Sequence, residues 1–395
     1  MTPGRAQLGA ALALALASAV SLGLARFSYA LLLLSMCADL HWSYFTAGAM
    51  NTVNAAGYLV GALLLPKILA RVDARRVLLA GGAGAALLLV GHGLVAADPP
   101  LFALRLATGA ASAASFVAGG LLAARLAASS EARAGTRHRS AGLVLGIYYG
   151  GTGLGIVVSA LVVPPLAMSP EPRAWQSAWI ALGATAALAT AVTAALSRGL
   201  ASAPAAGASA GRLRWRLFTF GLASYFAFGL GYIGYMTFIV TLLREQGMDA
   251  AGIVAFYIVL GVGVIASSWL WAGLLQRFRG GEPLALLNAL LAMATLLPVA
   301  SRHPLAVFAS GALFGSVFLS LVASTTALVR HNLPASQWSA GIGAFTVVFA
   351  AGQIVGPSLV GWVADGPGGL VRGFIVSAVL LAAGALLAWR QRPIA

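Results

Sequence analysis

Twelve long apolar segments dominate the sequence, and each is long enough to cross a lipid bilayer. A spanning helix needs about 18 or more predominantly apolar residues. The segments lie near 6–36, 43–66, 77–97, 100–127, 140–167, 174–196, 214–243, 250–275, 283–300, 304–329, 337–364 and 370–390. With 60% hydrophobic and 8% charged residues, the chain differs from ordinary soluble proteins, in which about 25% of residues are charged. We therefore predict an all-α membrane protein with twelve transmembrane helices.

The positive charges are concentrated on one side of the predicted membrane. The 24 lysines and arginines give a net charge of +15. With the N-terminus in the cytoplasm, eighteen of them fall on the cytoplasmic side, four fall outside, and Arg26 and Arg105 lie within helices. Cytoplasmic loops carry an excess of such cations. We therefore expect both termini in the cytoplasm, and we attribute the charge to membrane topology rather than to nucleic-acid binding.

A stretch of small residues divides the chain in the middle. Residues 198–212 are typical of a flexible cytoplasmic linker between an N-terminal bundle over 1–197 and a C-terminal bundle over 213–395. The two halves also share a G-x-x-x-G pattern, at 151–155 in the fifth segment and at 352–356 in the eleventh. These features predict two pseudo-symmetric bundles of six helices, with a binding site near the midplane.

The sequence indicates neither a metal site nor a catalytic constellation. Cys37 is the only cysteine, and the five histidines are dispersed along the chain. We therefore expect no cofactor, no metal and no catalytic residues. A membrane enzyme or sensor remains an alternative, but it is disfavoured because no nucleophile and base are paired.

Arg26 is the most unusual residue of the first apolar segment. An unpaired arginine near the bilayer centre costs at least about 2.5–3.5 kcal/mol, so it should face a cavity, a partner or a bound anion. Arg105 lies within the fourth segment at a similar estimated depth. The nine acidic residues map to loops or helix ends, where none could neutralise Arg26. This arrangement favours an anionic ligand.

Further polar side chains are expected to line the same cavity. Asn51, Asn54 and Tyr58 are spaced so that they share one face of the second helix. The complete set of predicted substrate-binding residues is Arg26, Tyr29, Asn51, Asn54, Tyr58, Arg105, Tyr149, Tyr225, Tyr232, Tyr235 and Gln353. For Arg26 the alternative is a structural clamp in which the guanidinium bonds to carbonyls of a neighbouring helix. For the tyrosines the alternative is packing.

Two short motifs resemble those of the major facilitator superfamily. Arg105 to Gly109 resembles its R-x-x-x-G motif. This resemblance favours, for Arg105, a role in helix packing or the coupling network over direct substrate contact. The basic loop after the second segment resembles the glycine- and arginine-rich signature of the superfamily. The loop departs from that signature because Arg71 stands in place of the aspartate. Since that aspartate normally makes interdomain charge contacts, the resemblance implies that the cytoplasmic gate is held differently in this protein.

A finer resemblance, to the YbfB/YjiJ type of bacterial facilitator, covers nearly the whole chain. It is carried by residues 23–29, 51–61, 149–155, 231–238 and 352–357. It implies the major facilitator fold, a secondary transporter working by alternating access, a bacterial inner-membrane location and a monomer. It does not supply a substrate.

Two transport functions follow from these observations. The first is the movement of a small organic anion, a carboxylate-type metabolite, bound by the two arginines. The alternative is an efflux pump for drugs or hydrophobic metabolites, suggested by the aromatic and aliphatic residues of the predicted cavity. A cationic drug would require a buried acidic residue, and the sequence offers none within a helix. The anion carrier is therefore the favoured function.

Overall fold

The structure is a computed structural model that describes residues 5–134, 139–169, 171–200 and 215–394. Within these ranges twelve helices are long and apolar enough to cross a membrane, and no strand occurs. The predicted all-α architecture with twelve spans is thereby confirmed. The helices are α1 (5–40), α2 (Tyr44–Leu69), α3 (Ala74–His92), α4 (Asp98–Ala134), α5 (Arg139–Ala167), α6 (Ala174–Leu196), α7 (Thr219–Glu245), α8 (250–277), α9 (Glu282–Ala300), α10 (Pro304–Asn332), α11 (Trp338–Ala364) and α12 (Gly369–Trp389).

Two of these helices are composite. α1 consists of an α-helix over Arg5–Ser18, a π-helix over Ala19–Phe27 and a second α-helix over Tyr29–Leu40. α8 consists of Ala250–Leu270 followed by a short helix over Ala272–Arg277. The π-helix was not predicted, and it coincides with the segment that contains Arg26.

The chain forms two compact units. Unit 1 comprises Met1–Leu40 and Ala56–Gly207, and unit 2 comprises His41–Ala55 and Ala208–Ala395. The beginning of α2 therefore packs with the C-terminal half of the sequence. Most of the predicted linker at 198–212 lies outside the described residues, so its flexibility stays a prediction.

The helix pairs of the two units correspond. In unit 1, α1 packs against α5 and α6, and α3 packs against α4 and α6. In unit 2, α7 packs against α11 and α12, and α9 packs against α10 and α12. Each pair thus recurs six helices later in the chain, as two pseudo-symmetric repeats require.

Glycine allows α1 and α7 to approach their partner helices closely. A Cβ atom added at Gly151 of α5 would lie 2.0 Å from the carbonyl oxygen of Ala15, and one at Gly352 of α11 would lie 2.6 Å from that of Phe226. Small residues at helix interfaces permit such backbone approach in membrane proteins. The two G-x-x-x-G patterns therefore have the same packing role in the two units.

Candidate functional site

The π-helix of α1 places Arg26 in the interior of unit 1. In this geometry each backbone N–H bonds five residues back, and short π segments are frequent at functional sites. The N–H of Ser28 donates to the carbonyl oxygen of Gly23 at 3.1 Å, and all residues of Ala19–Phe27 are buried. Just beyond it, the N–H of Leu31 donates to the oxygen of Ser28 at 3.0 Å. The carbonyls of Ala25 and Arg26 lie next to this change of hydrogen-bond spacing.

Arg105 of α4 bonds to these two carbonyls. Its Nη1 donates to the oxygen of Ala25 at 2.7 Å, and its Nη2 donates to the oxygen of Arg26 at 3.3 Å. The guanidinium carbon also lies 4.8 Å from the ring centre of Tyr29 and 5.6 Å from that of Trp179. Arg105 is fully buried. The side chain of Arg105 thus joins α4 to the backbone of α1.

The side chain of Arg26 is buried but makes no hydrogen bond within the described part of the chain. It is 4% exposed, and its Nε and Nη2 atoms are buried without a hydrogen-bond partner. The guanidinium carbon lies 5.9 Å from the ring centre of Phe27 and 5.7 Å from that of Tyr58. Nε and Nη2 form one edge of the planar guanidinium, and such an edge can bind the two oxygens of a carboxylate.

Beside Arg105, α3 and α6 contribute a polar pair that sequence reasoning did not place in the site. The His92 ring stacks on Trp179 with 4.6 Å between ring centres, and its Nδ1 bonds to the carbonyl oxygen of Leu88 at 2.7 Å. His92 Nε2 and Trp179 Nε1 are buried without a hydrogen-bond partner. Trp179 gave no signal in the sequence because an aromatic residue in an apolar helix is normally a packing residue.

The two predicted asparagines of α2 belong to unit 2 and are buried there. The Nδ2 of Asn51 donates to the hydroxyl of Thr237 in α7 at 2.7 Å. At the next residue, the hydroxyl of Thr52 donates to the carbonyl oxygen of Ile354 in α11 at 2.6 Å. The sequence did not single out Thr52 or Thr237, because hydroxyl residues are common in membrane helices.

Asp365, at the end of α11, binds the first turn of α2. Its carboxylate oxygens accept the N–H groups of Tyr44 at 2.7 Å and of Phe45 at 2.9 Å. Free N–H groups at a helix N-terminus favour a carboxylate partner. The Tyr44 hydroxyl also bonds to Glu245 at the end of α7. Unit 2 therefore holds the beginning of α2 through two carboxylates that the sequence places in helix-end positions.

The predicted tyrosines of α7 lie in an aromatic cluster. Tyr225 stacks on Phe349 at 4.8 Å, and Phe228 stacks on Tyr232 at 4.7 Å. The hydroxyl of Tyr232 bonds to the amide of Gln353, which brings two predicted site residues together. The predicted residue Tyr235 stacks on Phe314 at 3.9 Å, and its hydroxyl lies 2.7 Å from that of Ser310. Phe318 stacks on both Phe314 and Tyr232 and so connects Tyr235 to the cluster.

Tyr149 of α5 is the most exposed of the predicted tyrosines. It is 38% exposed and packs against Tyr148, with 5.1 Å between ring centres. Among the predicted residues of unit 1, the structure therefore brings Arg26, Arg105, Tyr29 and Tyr58 together, and it gives Tyr149 contacts of its own. Across the described ranges no cluster of three or more His, Cys, Asp or Glu side chains could hold a metal ion.

A comparison with protein families identifies the class. Residues 18–389 match the family described as "Uncharacterised MFS-type transporter YbfB". The chain belongs to this family. The resemblance to the YbfB/YjiJ type is therefore confirmed, and this YbfB-type protein is a multi-pass secondary transporter of the major facilitator superfamily rather than an enzyme.

Solved structures of other transporters share the fold of this YbfB-type protein. A bacterial homologue of the human lysosomal transporter Spinster, in an inward-facing and occupied conformation, has a TM-score of 0.72 at 13% identity, over 98% of this chain and 97% of that chain. The nucleoside transporter NupG has a TM-score of 0.70 at 15% identity, over 98% of both chains. At such low identity the similarity shows the fold alone. No curated protein matches the sequence.

Proposed function

We propose that this transporter carries a small organic anion, a carboxylate-type metabolite, and that Arg26 is its main binding partner. The observation that carries the proposal is the unpartnered Nε and Nη2 edge of Arg26, buried in a spanning helix. A cation in such a position is costly unless it is paired. A carboxylate would satisfy both nitrogens at once through charge-assisted hydrogen bonds.

The surroundings of Arg26 support an external rather than an internal anion. No carboxylate in the described part of the chain pairs with its guanidinium. The acidic residues that the structure describes lie in loops or at helix ends, as Asp39, Asp98 and Asp365 illustrate. Aromatic rings of Phe27 and Tyr58 face the guanidinium, and a weakly polar environment strengthens its attraction for an anion.

The other predicted site residues belong to the same proposal. Tyr58 would contact the bound carboxylate beside Arg26, whereas Arg105 and Tyr29 would hold the π-helix that presents it. The residues proposed to complete the binding surfaces of the two units are Asn51, Asn54, Tyr149, Tyr225, Tyr232, Tyr235 and Gln353. Transport would proceed by alternating access in a monomer of the bacterial inner membrane, with both termini in the cytoplasm.

A thermal-shift experiment on the purified protein in detergent tests the proposal. Each carboxylate is paired with its neutral amide, as in benzoate with benzamide and hexanoate with hexanamide; uridine and tetraphenylphosphonium represent neutral and cationic compounds. A compound that binds the folded state raises the melting temperature. We expect a rise with at least one carboxylate, none with its amide, and loss of the rise in Arg26→Gln.

Arg302→Gln is the matched control, because it removes an exposed arginine outside the site. This variant should respond to carboxylates as the wild type does. The proposal would be abandoned if Arg26→Gln kept the response to carboxylates, or if only uridine or tetraphenylphosphonium stabilised the wild type.

A further inference from the structure

We infer that the site accepts a singly charged carboxylate and excludes dicarboxylates and phosphate dianions. Of its two arginines, only Arg26 has two adjacent guanidinium nitrogens without hydrogen-bond partners in the described part of the chain. The inference rests on the proposed function and narrows it to ligands that carry one negative charge. Among the residues the structure describes, Arg26 and Arg105 are the buried arginines, and His92 is the buried histidine. These three groups determine how much negative charge the site can hold.

Arg105 uses both terminal nitrogens of its guanidinium on the protein itself. Nη1 and Nη2 bond to the carbonyl oxygens of Ala25 and Arg26 at 2.7 and 3.3 Å. The rings of Tyr29 and Trp179 lie within 4.8 and 5.6 Å of its guanidinium carbon, close enough for cation–π attraction. Its charge is therefore stabilised by carbonyl dipoles and aromatic rings. A second carboxylate could bind Arg105 only by displacing bonds that hold the π-helix in place.

His92 cannot replace Arg105 as a second anion partner. Its Nδ1 lies 2.7 Å from the oxygen of Leu88, and a carbonyl oxygen only accepts, so this nitrogen carries the proton of the neutral ring. The ring is fully buried and its Nε2 has no partner among the described residues, so a charged imidazolium would be costly there. In the neutral ring Nε2 is an acceptor and would repel a carboxylate oxygen. A second negative group would consequently be buried without a partner, and burying an unpaired charge is strongly unfavourable.

In this inference Arg105 is a residue that positions Arg26. It holds the backbone of Ala25 and Arg26, and the backbone of Arg26 determines where the free Nε and Nη2 edge points. Lysine would preserve the positive charge but could not bond to both carbonyls with a planar fork. The charge-preserving variant Arg105→Lys therefore separates positioning from a direct electrostatic role.

The test measures dissociation constants at pH 7.5 by thermal shift for two matched pairs, benzoate with phthalate and hexanoate with adipate, together with inorganic phosphate. The members of each pair differ by one carboxylate. We expect each monocarboxylate that binds to have a dissociation constant at least about tenfold lower than that of its diacid. Both Arg105→Lys and Arg105→Gln should weaken the binding of the monocarboxylate by about tenfold or more.

Three results would overturn the inference, and they are distinguishable. If phthalate, adipate or phosphate binds as tightly as the monocarboxylates and Arg26→Gln abolishes that binding, the inferred limit of one negative charge is wrong. The proposed function of anion transport is then retained. If Arg105→Lys binds like the wild type while Arg105→Gln does not, Arg105 acts as a second charge in the site. If none of these anions stabilises the wild type, the proposed function and the inference fail together.

Discussion

At the scale of single residues, two arginines in apolar helices have different environments. Arg105 bonds to two backbone carbonyls, whereas the Nε and Nη2 atoms of Arg26 have no partner in the described part of the chain. The difference arises from local geometry, since both side chains are buried and both helices are apolar. Burial and charge alone would not have separated an arginine with backbone partners from one whose Nε and Nη2 lack them.

This difference predicts the effect of Arg26→Lys. Lysine keeps the charge but presents a single ammonium group instead of a planar edge with two parallel donors. We expect affinity for the bound carboxylate to fall by at least about tenfold, as measured by thermal shift or by uptake into proteoliposomes. Wild-type affinity in Arg26→Lys would show that recognition requires only a positive charge.

The sequence supported the choice of Arg26 and Arg105 because a cation in a long apolar segment is rare and costly. It could not assign their roles. The role of Arg105 depends on carbonyls of α1 that lie at a change from π to α spacing, and that change is not encoded in a local pattern. Similarly, His92 is one of five histidines that are dispersed in the sequence, and its stacking on Trp179 requires α3 and α6 to be in place.

At the scale of helices, the contact between α1 and α5 predicts the effect of Gly151→Ala. The added Cβ would lie 2.0 Å from the carbonyl oxygen of Ala15, so the helices would have to separate. Overpacking of this kind typically costs about 1–3 kcal/mol. We expect a lower melting temperature in detergent.

Gly142→Ala is the control for that experiment. Gly142 lies on the same helix, and a Cβ at this position would meet nothing within 4 Å. The variant should melt at or slightly above the wild-type temperature, because alanine favours helix more than glycine does. Equal melting temperatures for Gly142→Ala and Gly151→Ala would contradict the close contact of α1 and α5.

The helices were largely predictable, because apolar length and the G-x-x-x-G spacing are local properties of the sequence. The residues that cap the helix ends were less predictable. Asp365 precedes a glycine-rich turn and reads as an ordinary helix end, yet its carboxylate accepts N–H groups of Tyr44 and Phe45, more than 300 residues earlier in the chain. A cap supplied by a distant segment leaves no signal near the helix it caps.

At the scale of the whole molecule, α2 is shared between the two compact units, with residues up to Ala55 in unit 2. This predicts a localised effect of Asp365→Asn. Asparagine has one oxygen and no charge, so it cannot accept both N–H groups of the first turn as the carboxylate does. We expect faster hydrogen exchange in the first turn of α2, measured by mass spectrometry.

Asp249→Asn is the matched control for this measurement. Asp249 caps its own helix, α8, by accepting the N–H of Gly252 at 2.8 Å. Its substitution should affect exchange at the start of α8 and leave α2 unchanged. If Asp365→Asn left the exchange of α2 at the wild-type rate, the carboxylate would not be what holds this turn.

The charge of Arg26, with which no carboxylate of the described residues pairs, also has an electrical consequence. The empty carrier and the carrier loaded with a singly charged anion differ by one elementary charge. A membrane potential can change the relative free energy of such forms by up to about 2.3 kcal/mol per 100 mV. We therefore expect the voltage dependence of transport to be sensitive to anion occupancy, so that currents recorded with and without a saturating anion differ in their response to an applied potential.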